Sequence, residues 1–234
     1  MERFHLYSAA HLLALLGITA ATAILIALGR RWRRDDGPSL LEKVLGGGTL
    51  AIWLVINGWW LWPSRFNVRH SLPLQMCDLA LAAVPVVLLT RWRPARAILY
   101  FWGLALSTQG LITPDLTDGP STLSFWFFWL YHAAVVGTAA YDLAVHRFRP
   151  DWRDYGLAVA AGLAYVAILF PLDIALRANY GYLGNRRPAQ PTLLDFLGPW
   201  PGRVVIIILL AAGVMALLEV PWALARRRRA AVNA

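Results

Sequence analysis

The chain has 234 residues, 59% of them hydrophobic and 15% charged, with a formal net charge of +9. A soluble domain of this size carries more charge and fewer long apolar runs. The positive charge is not a nucleic-acid footprint, because the arginines gather at the ends of apolar runs instead of on one soluble face.

Seven apolar stretches succeed one another, at about 6–28, 44–62, 74–91, 97–113, 123–144, 155–176 and 203–225. Apolar cores of about 20 residues match a hydrocarbon thickness of roughly 30 Å. The expected fold is therefore all-α: a polytopic membrane bundle of seven transmembrane helices, with 1–234 forming a single domain. The first run lacks a basic flank before it and a clear small-residue cleavage site after it, so it is expected to stay in the protein as a span.

Lys and Arg in the connecting segments set the expected orientation. Fifteen of the 22 lie in the segments after runs one, three, five and seven, and seven lie on the opposite side. The positive-inside rule then puts the N-terminus outside and the C-terminus in the cytoplasm. Trp59, Trp60, Trp62, Trp126 and Trp129 mark one interface, and Trp92, Trp152 and Trp222 the other. Pro85, Pro171 and Pro221 fall inside runs and are expected to kink them. The expected setting is a membrane crossed several times, with membrane phospholipids as partners and no nucleic acid or protein partner indicated.

Polar residues inside the runs are the candidates for function, because a polar group in hydrocarbon needs a partner or a task. In the first run His11 comes three residues after Ser8. In the second, Gly46-Gly47-Gly48 reads as close helix packing, and Asn57 lies near the end. Cys77 opens the third run, within Leu72-Pro73-Leu74-Gln75-Met76-Cys77-Asp78-Leu79. A thiolate attacks acyl carbonyls, yet cysteine is also a common small buried apolar residue. Asp78 would disfavour a neighbouring thiolate, unless the helix turns it aside.

The fourth run ends Gln109-x-x-x-Thr113-Pro114-Asp115. Gln109 suits a hydrogen bond to a carbonyl or oxyanion, or to a neighbouring span. In the fifth, His132 shares a helix face with Phe125, Phe128 and Trp129. It reads equally as a general base or as a structural histidine. Asp173 and Arg177, four apart near the end of the sixth run, are expected to pair. The segment from Asn179 to Pro201 is rich in Gly, Pro and aromatics, and carries Tyr180, Arg186 and Arg187. It suits a lid whose arginines meet a phosphate headgroup, or arginines resting at the bilayer surface.

Helix rise puts Cys77 about 6 Å, Gln109 about 7 Å and His132 about 12 Å beneath the outer surface, with His11 and Asn57 at roughly 8–10 Å. Five polar residues from five runs thus share one slab of the outer leaflet. A single cysteine excludes an intramolecular disulfide and a multi-cysteine metal cluster. There is no zinc-type His-x-x-x-His, no phosphate-binding Gly-rich loop with a lysine and no Ser-centred nucleophile elbow, so no metal or cofactor is expected.

The ordered series Tyr7-Ser8-Ala9-Ala10-His11, the 72–79 segment, Gln109-Gly110-Leu111-Ile112-Thr113-Pro114-Asp115-Leu116, His132, Asn179-Tyr180-Gly181-Tyr182-Leu183 and Leu197-Gly198-Pro199-Trp200-Pro201 resembles the YwaF-like integral membrane proteins of bacteria. The likeness covers roughly 4–202. That family is similar to a eukaryotic membrane acyltransferase with a cysteine active centre, which moves a polyunsaturated acyl chain between phospholipids. The resemblance implies that Cys77 is the nucleophile and His132 its base. Position 75 departs from the pattern, with Gln75 where histidine is expected. The expected activity is phospholipid acyl transfer or acyl hydrolysis. His11, Asn57, Gln109, Asn179, Tyr180, Arg186 and Arg187 would serve the oxyanion or the substrate. The alternative is a non-enzymatic binder or carrier of a small solute or lipid.

Overall fold

The structure, a computed structural model, describes residues 3–186 and 196–232. Among these residues the regular structure is helical, apart from one isolated bridge between Arg3 and Asp118. The helices are α1 (Ala9–Trp32), α2 (Leu40–Leu61), α3 (Met76–Thr90), α4 (Arg93–Ile98), α5 (Thr108–Ile112), α6 (Leu123–Ala144), α7 (Trp152–Leu176) and α8 (Gly202–Val232). A π-helical segment, Leu99–Ser107, joins α4 to α5. α1, α2, α6, α7 and α8 are long and apolar enough to cross a membrane. α3 has 15 residues and rises about 22 Å, short of a full hydrocarbon layer.

Local chemistry accounts for where the helices start and stop. Ser8 caps α1 by accepting the His11 N–H. Ser39 and Glu42 cap α2 reciprocally, which starts it four residues before the apolar run. Asp151 does the same for α7, accepting from the N–H groups of Arg153 and Asp154. Those bonds outweigh the cost of its partial burial and hold the Asp151 carboxyl below its usual range. α8 extends past the apolar run through Arg226–Arg229, since arginine is a strong helix former. Pro85, Pro171 and Pro221 do lie inside helices.

The π segment lies at the centre. Leu99, Phe101, Trp102 and Gly103 are buried, and the segment packs on α3, α6 and α8. Around it, α2 lies on α3, α1 on α6 and α4 on α7. Glycine permits close approach at two points. A Cβ on Gly29 would lie 2.3 Å from the Tyr141 ring, and one on Gly46 would lie 2.9 Å from Leu89. Gly47 and Gly48 have open space beside them, so only the first of the three glycines serves packing.

The arginine-rich end of the bundle is tied by buried carboxylates. Glu42 on α2 is fully buried. Its Oε1 accepts from Tyr141 Oη on α6 at 3.0 Å and lies 2.8 Å from His146 Nε2. Its Oε2 accepts from the Ser39 N–H at 2.8 Å and from Arg91 at 3.4 Å. Arg96 on α4 meets Asp142 on α6 at 2.9 Å. Arg93 reaches Asp154 at 2.7 Å and Asp151 at 3.1 Å, both at the start of α7. Arg226 pairs with Glu219 within α8 and donates to the Pro150 carbonyl.

These pairs staple α2, α4, α6, α7 and α8 together. Removing one member of a buried pair strands the other, at a cost of about 3 kcal/mol. Glu42→Ala is therefore expected to lower the thermal midpoint of the detergent-solubilised protein by several degrees. Asp35→Ala, which removes an exposed Arg33 partner, should leave it unchanged.

Candidate functional site

Cys77 sits in the first turn of α3. The segment entering that turn is fastened from three sides. Tyr180 Oη accepts from the Leu72 N–H at 3.1 Å and donates to the Val68 carbonyl at 2.8 Å. Tyr165 Oη on α7 donates to the Leu74 carbonyl at 2.7 Å. Gln75 Oε1 accepts from the Gly181 N–H at 2.9 Å.

Asp78 closes the turn. Its Oδ2 accepts from the Gln75 N–H at 2.8 Å, and its Oδ1 accepts from Tyr131 Oη on α6 at 2.8 Å. Trp53 on α2 donates to the Asp78 carbonyl at 3.2 Å. Cys77 itself stays partly exposed and accepts from Ser107 Oγ at 3.5 Å. Ser107 is the last residue of the π segment.

His132 is buried on α6. Its Nδ1 lies 2.9 Å from the Phe128 carbonyl, an acceptor, so Nδ1 carries the proton and donates. That leaves the Nε2 lone pair as the basic site. Nε2 faces Gly110 on α5, where a Cβ would lie only 2.6 Å away. Ser107 and Gly110 are three residues apart, so the thiol and the imidazole address one strip of the same helix, about one turn of roughly 5 Å apart along it. Tyr131, the neighbour of His132, joins Asp78, the neighbour of Cys77, and so locks α6 to α3 beside this strip.

The aromatic surroundings of His132 differ from the expectation. Phe128 lies against its ring, with centroids 4.3 Å apart. Phe125 and Trp129 turn into a separate cluster with Phe4 and His11. His11 is fully buried there with both nitrogens engaged. Its Nδ1 accepts from the Tyr7 N–H at 3.0 Å, and Nε2 donates to the Leu111 carbonyl at 2.8 Å.

The remaining candidates are dispersed. Asn57 is buried and donates to the Trp53 carbonyl of its own helix at 2.7 Å. Gln109 donates along its own helix end to Thr113. Tyr180 is fully buried, with its hydroxyl used twice to hold 68–72. Asn179 Oδ1 is buried without a hydrogen-bond partner among the described residues. Arg186 is exposed, while its carbonyl accepts from Arg203 at 3.2 Å. Arg187 lies outside the described residues.

Asp173 does not pair with Arg177. It is buried and accepts from the Tyr180 N–H at 2.9 Å, while Arg177 caps α7 in a left-handed conformation that turns the chain. Sequence reasoning missed Ser107, Gly110, Tyr131 and Tyr165. The small pair Ser107-x-x-Gly110 and the tyrosine preceding His132 were the available signals. Among the described residues no group of three His, Cys, Asp or Glu converges.

Gln75 therefore acts through its amide oxygen, with no need of a titrating group. Gln75→Leu is expected to leave the partly buried Gly181 N–H unpaired at a cost of about 1 kcal/mol. Hydrogen exchange by mass spectrometry should show faster exchange across Tyr180–Leu183 in that variant, with exchange in α1 unchanged.

Comparison with known proteins places the chain by sequence. No curated protein matches it, and no solved structure does. A family match runs over residues 6–219 and takes in every element of the site, from His11 to the start of α8. The chain belongs to the TMEM164 family.

Proposed function

We propose that this multi-pass membrane protein is a lipid-modifying enzyme of the acyl-transfer class, with Cys77 as nucleophile and His132 as general base. The observation that carries the reading is the shared strip on the π segment and α5. Ser107 Oγ touches the thiol there, and the His132 Nε2 lone pair meets Gly110 one turn further on. The resemblance to YwaF-like proteins, and through them to a cysteine-centred acyltransferase, supports the same two residues.

The proposed topology has seven crossings. The α4–π–α5 run and the short α3 cross inside the five longer helices. The N-terminus lies outside and the C-terminus in the cytoplasm of a bacterial plasma membrane. Cys77 then opens toward the outer leaflet, and the buried ion pairs lie at the cytoplasmic end.

In the reaction, His132 Nε2 takes the thiol proton, directly or through one water. The thiolate attacks the ester carbonyl of a phospholipid. The C–S bond forms, the ester C–O bond breaks, and the leaving alkoxide takes the proton back from His132. A lysophospholipid departs and a thioester remains on Cys77. A second lipid hydroxyl, or water, then attacks the thioester with His132 again as base: the new C–O bond forms, the C–S bond breaks, and the Cys77 thiolate takes the proton back from His132. Transfer and hydrolysis differ only in that acceptor. The exposed Arg186 offers a guanidinium to the phosphate headgroup, while Tyr180 supports the Cys77 turn instead of touching substrate.

The test uses purified protein in mixed micelles with phospholipid labelled in one acyl chain. Wild-type protein is expected to move label to an unlabelled lysophospholipid or to water. Cys77→Ser and His132→Ala should each lose at least about 100-fold in rate. Full activity in both variants would reject these roles. Tight lipid binding by the wild type with no label moved would leave the non-enzymatic carrier reading.

A further inference from the structure

We propose that Ser107 is a catalytic residue of the site: its hydroxyl donates to Cys77 Sγ and holds the sulfur as a thiolate during acyl transfer. The assignment rests on the acyl-transfer reading and adds a third residue to it.

The local backbone decides where this hydroxyl goes. A serine or threonine inside a helix commonly spends its hydroxyl on the carbonyl four residues back. Thr19, Thr49 and Thr90 do so, donating to the carbonyls of Leu15, Leu45 and Val86 at 2.7–2.8 Å. For Ser107 that carbonyl belongs to Gly103. The π segment has a wider turn, and Thr108 Oγ1 reaches the Gly103 carbonyl instead, five residues back, at 3.4 Å. Ser107 Oγ crosses to α3 and donates to Cys77 Sγ at 3.5 Å.

Among the described residues no other side chain hydrogen-bonds the sulfur. The hydroxyls and amides that hold the start of α3 and its neighbours are committed elsewhere. Tyr131 donates to Asp78, Tyr165 to the Leu74 carbonyl, Tyr180 to the Val68 carbonyl and Gln109 to Thr113. Ser107 is 1% exposed, while Cys77 is partly exposed. The donor therefore meets the sulfur from the protein side and leaves the exposed side for a carbonyl carbon.

A thiol is a weak acceptor and a thiolate a charged one, so this bond strengthens when His132 Nε2 takes the thiol proton. The lone pair left on sulfur then forms the C–S bond, the ester C–O bond breaks, and the leaving alkoxide takes the proton from His132. In the second half the acceptor oxygen forms the new C–O bond, the C–S bond breaks and its pair returns to sulfur. Ser107 keeps its own proton throughout. The same hydroxyl thus serves the sulfur first as nucleophile and then as leaving group.

A hydrogen bond to a charged group shifts an equilibrium by about 10- to 100-fold. A more stable thiolate is also a weaker nucleophile, and roughly half of that gain on a logarithmic scale reaches the rate. Ser107→Ala is therefore expected to slow Cys77 alkylation by iodoacetamide about three- to tenfold at neutral pH. Alanine is smaller than serine and cannot obstruct the reagent, and in denaturing detergent the two chains should alkylate at one rate. The kcat for acyl transfer should fall by at least the same factor with KM unchanged. The thermal midpoint should equal that of the wild type, because the resting thiol is a weak acceptor. Wild-type alkylation or wild-type kcat in Ser107→Ala would overturn the assignment. A midpoint lowered by several degrees would overturn it too, by showing that the bond serves packing. Cys77→Ser, run in the same transfer assay, separates the two layers. If wild type and Cys77→Ser are indistinguishable, the acyl-transfer reading fails and this assignment falls with it. If they differ while Ser107→Ala matches wild type, only the Ser107 role is lost.

Discussion

Asp78 accepts hydrogen bonds from its own turn and from a distant helix, and the position of the thiol depends on both. One oxygen closes the first turn of α3 on the Gln75 N–H, and the other holds Tyr131 of α6. A buried carboxylate needs such donors, because nothing else in an apolar surround offsets its lost hydration. Cys77 lies between these two anchored positions, so the bonds of Asp78 fix its distance from α6 and from His132. Asp78 is thus the bracket that positions the thiol.

The π segment supplies the other side of the site. A wider helical turn shifts the register of the residues after it, and such segments are frequent where function needs an unusual alignment. Here it ends at Ser107, against Cys77, and hands over to α5 with Gly110 against His132. At the far end of the bundle, Glu42, Asp142 and Asp154 meet arginines from neighbouring segments, and Glu219 meets Arg226 of its own helix. That end is fastened by charge, while the site end is fastened mostly by neutral hydrogen bonds to tyrosines. The division leaves Cys77 partly exposed within an otherwise well-tied bundle.

Much of the helical layout was legible because apolar run length and capping residues are local properties. The 123–144 run and α6 coincide, and α7 ends where the sixth run does. α8 outran its apolar stretch because helix propensity continues through arginine where hydropathy stops. The π segment was invisible, since its residues read as any buried helix. At the site, depth along a helix singled out Cys77, His132 and Gln109, but azimuth was not available from spacing alone. Phe125 and Trp129 share the helix of His132 yet pack on Phe4, and Gln109 bonds its own helix. Asp173 was read as the local partner of Arg177, because the folding back of the 178–183 turn onto it is a tertiary event. The tyrosines were missed for the same reason. In a chain with 12 tryptophans and eight tyrosines, composition does not say which hydroxyl reaches across the bundle to hold another segment.

If Cys77 is the nucleophile, the single thiol of this chain carries an acyl group during turnover. Intact-protein and peptide mass spectrometry after brief incubation with a diacyl phospholipid, quenched in acid, reads this directly. The expected result is a hydroxylamine-sensitive adduct of one acyl mass on the Cys77 peptide, absent from His132→Ala. An unmodified Cys77 under conditions where the lipid is visibly converted would contradict the proposed chemistry.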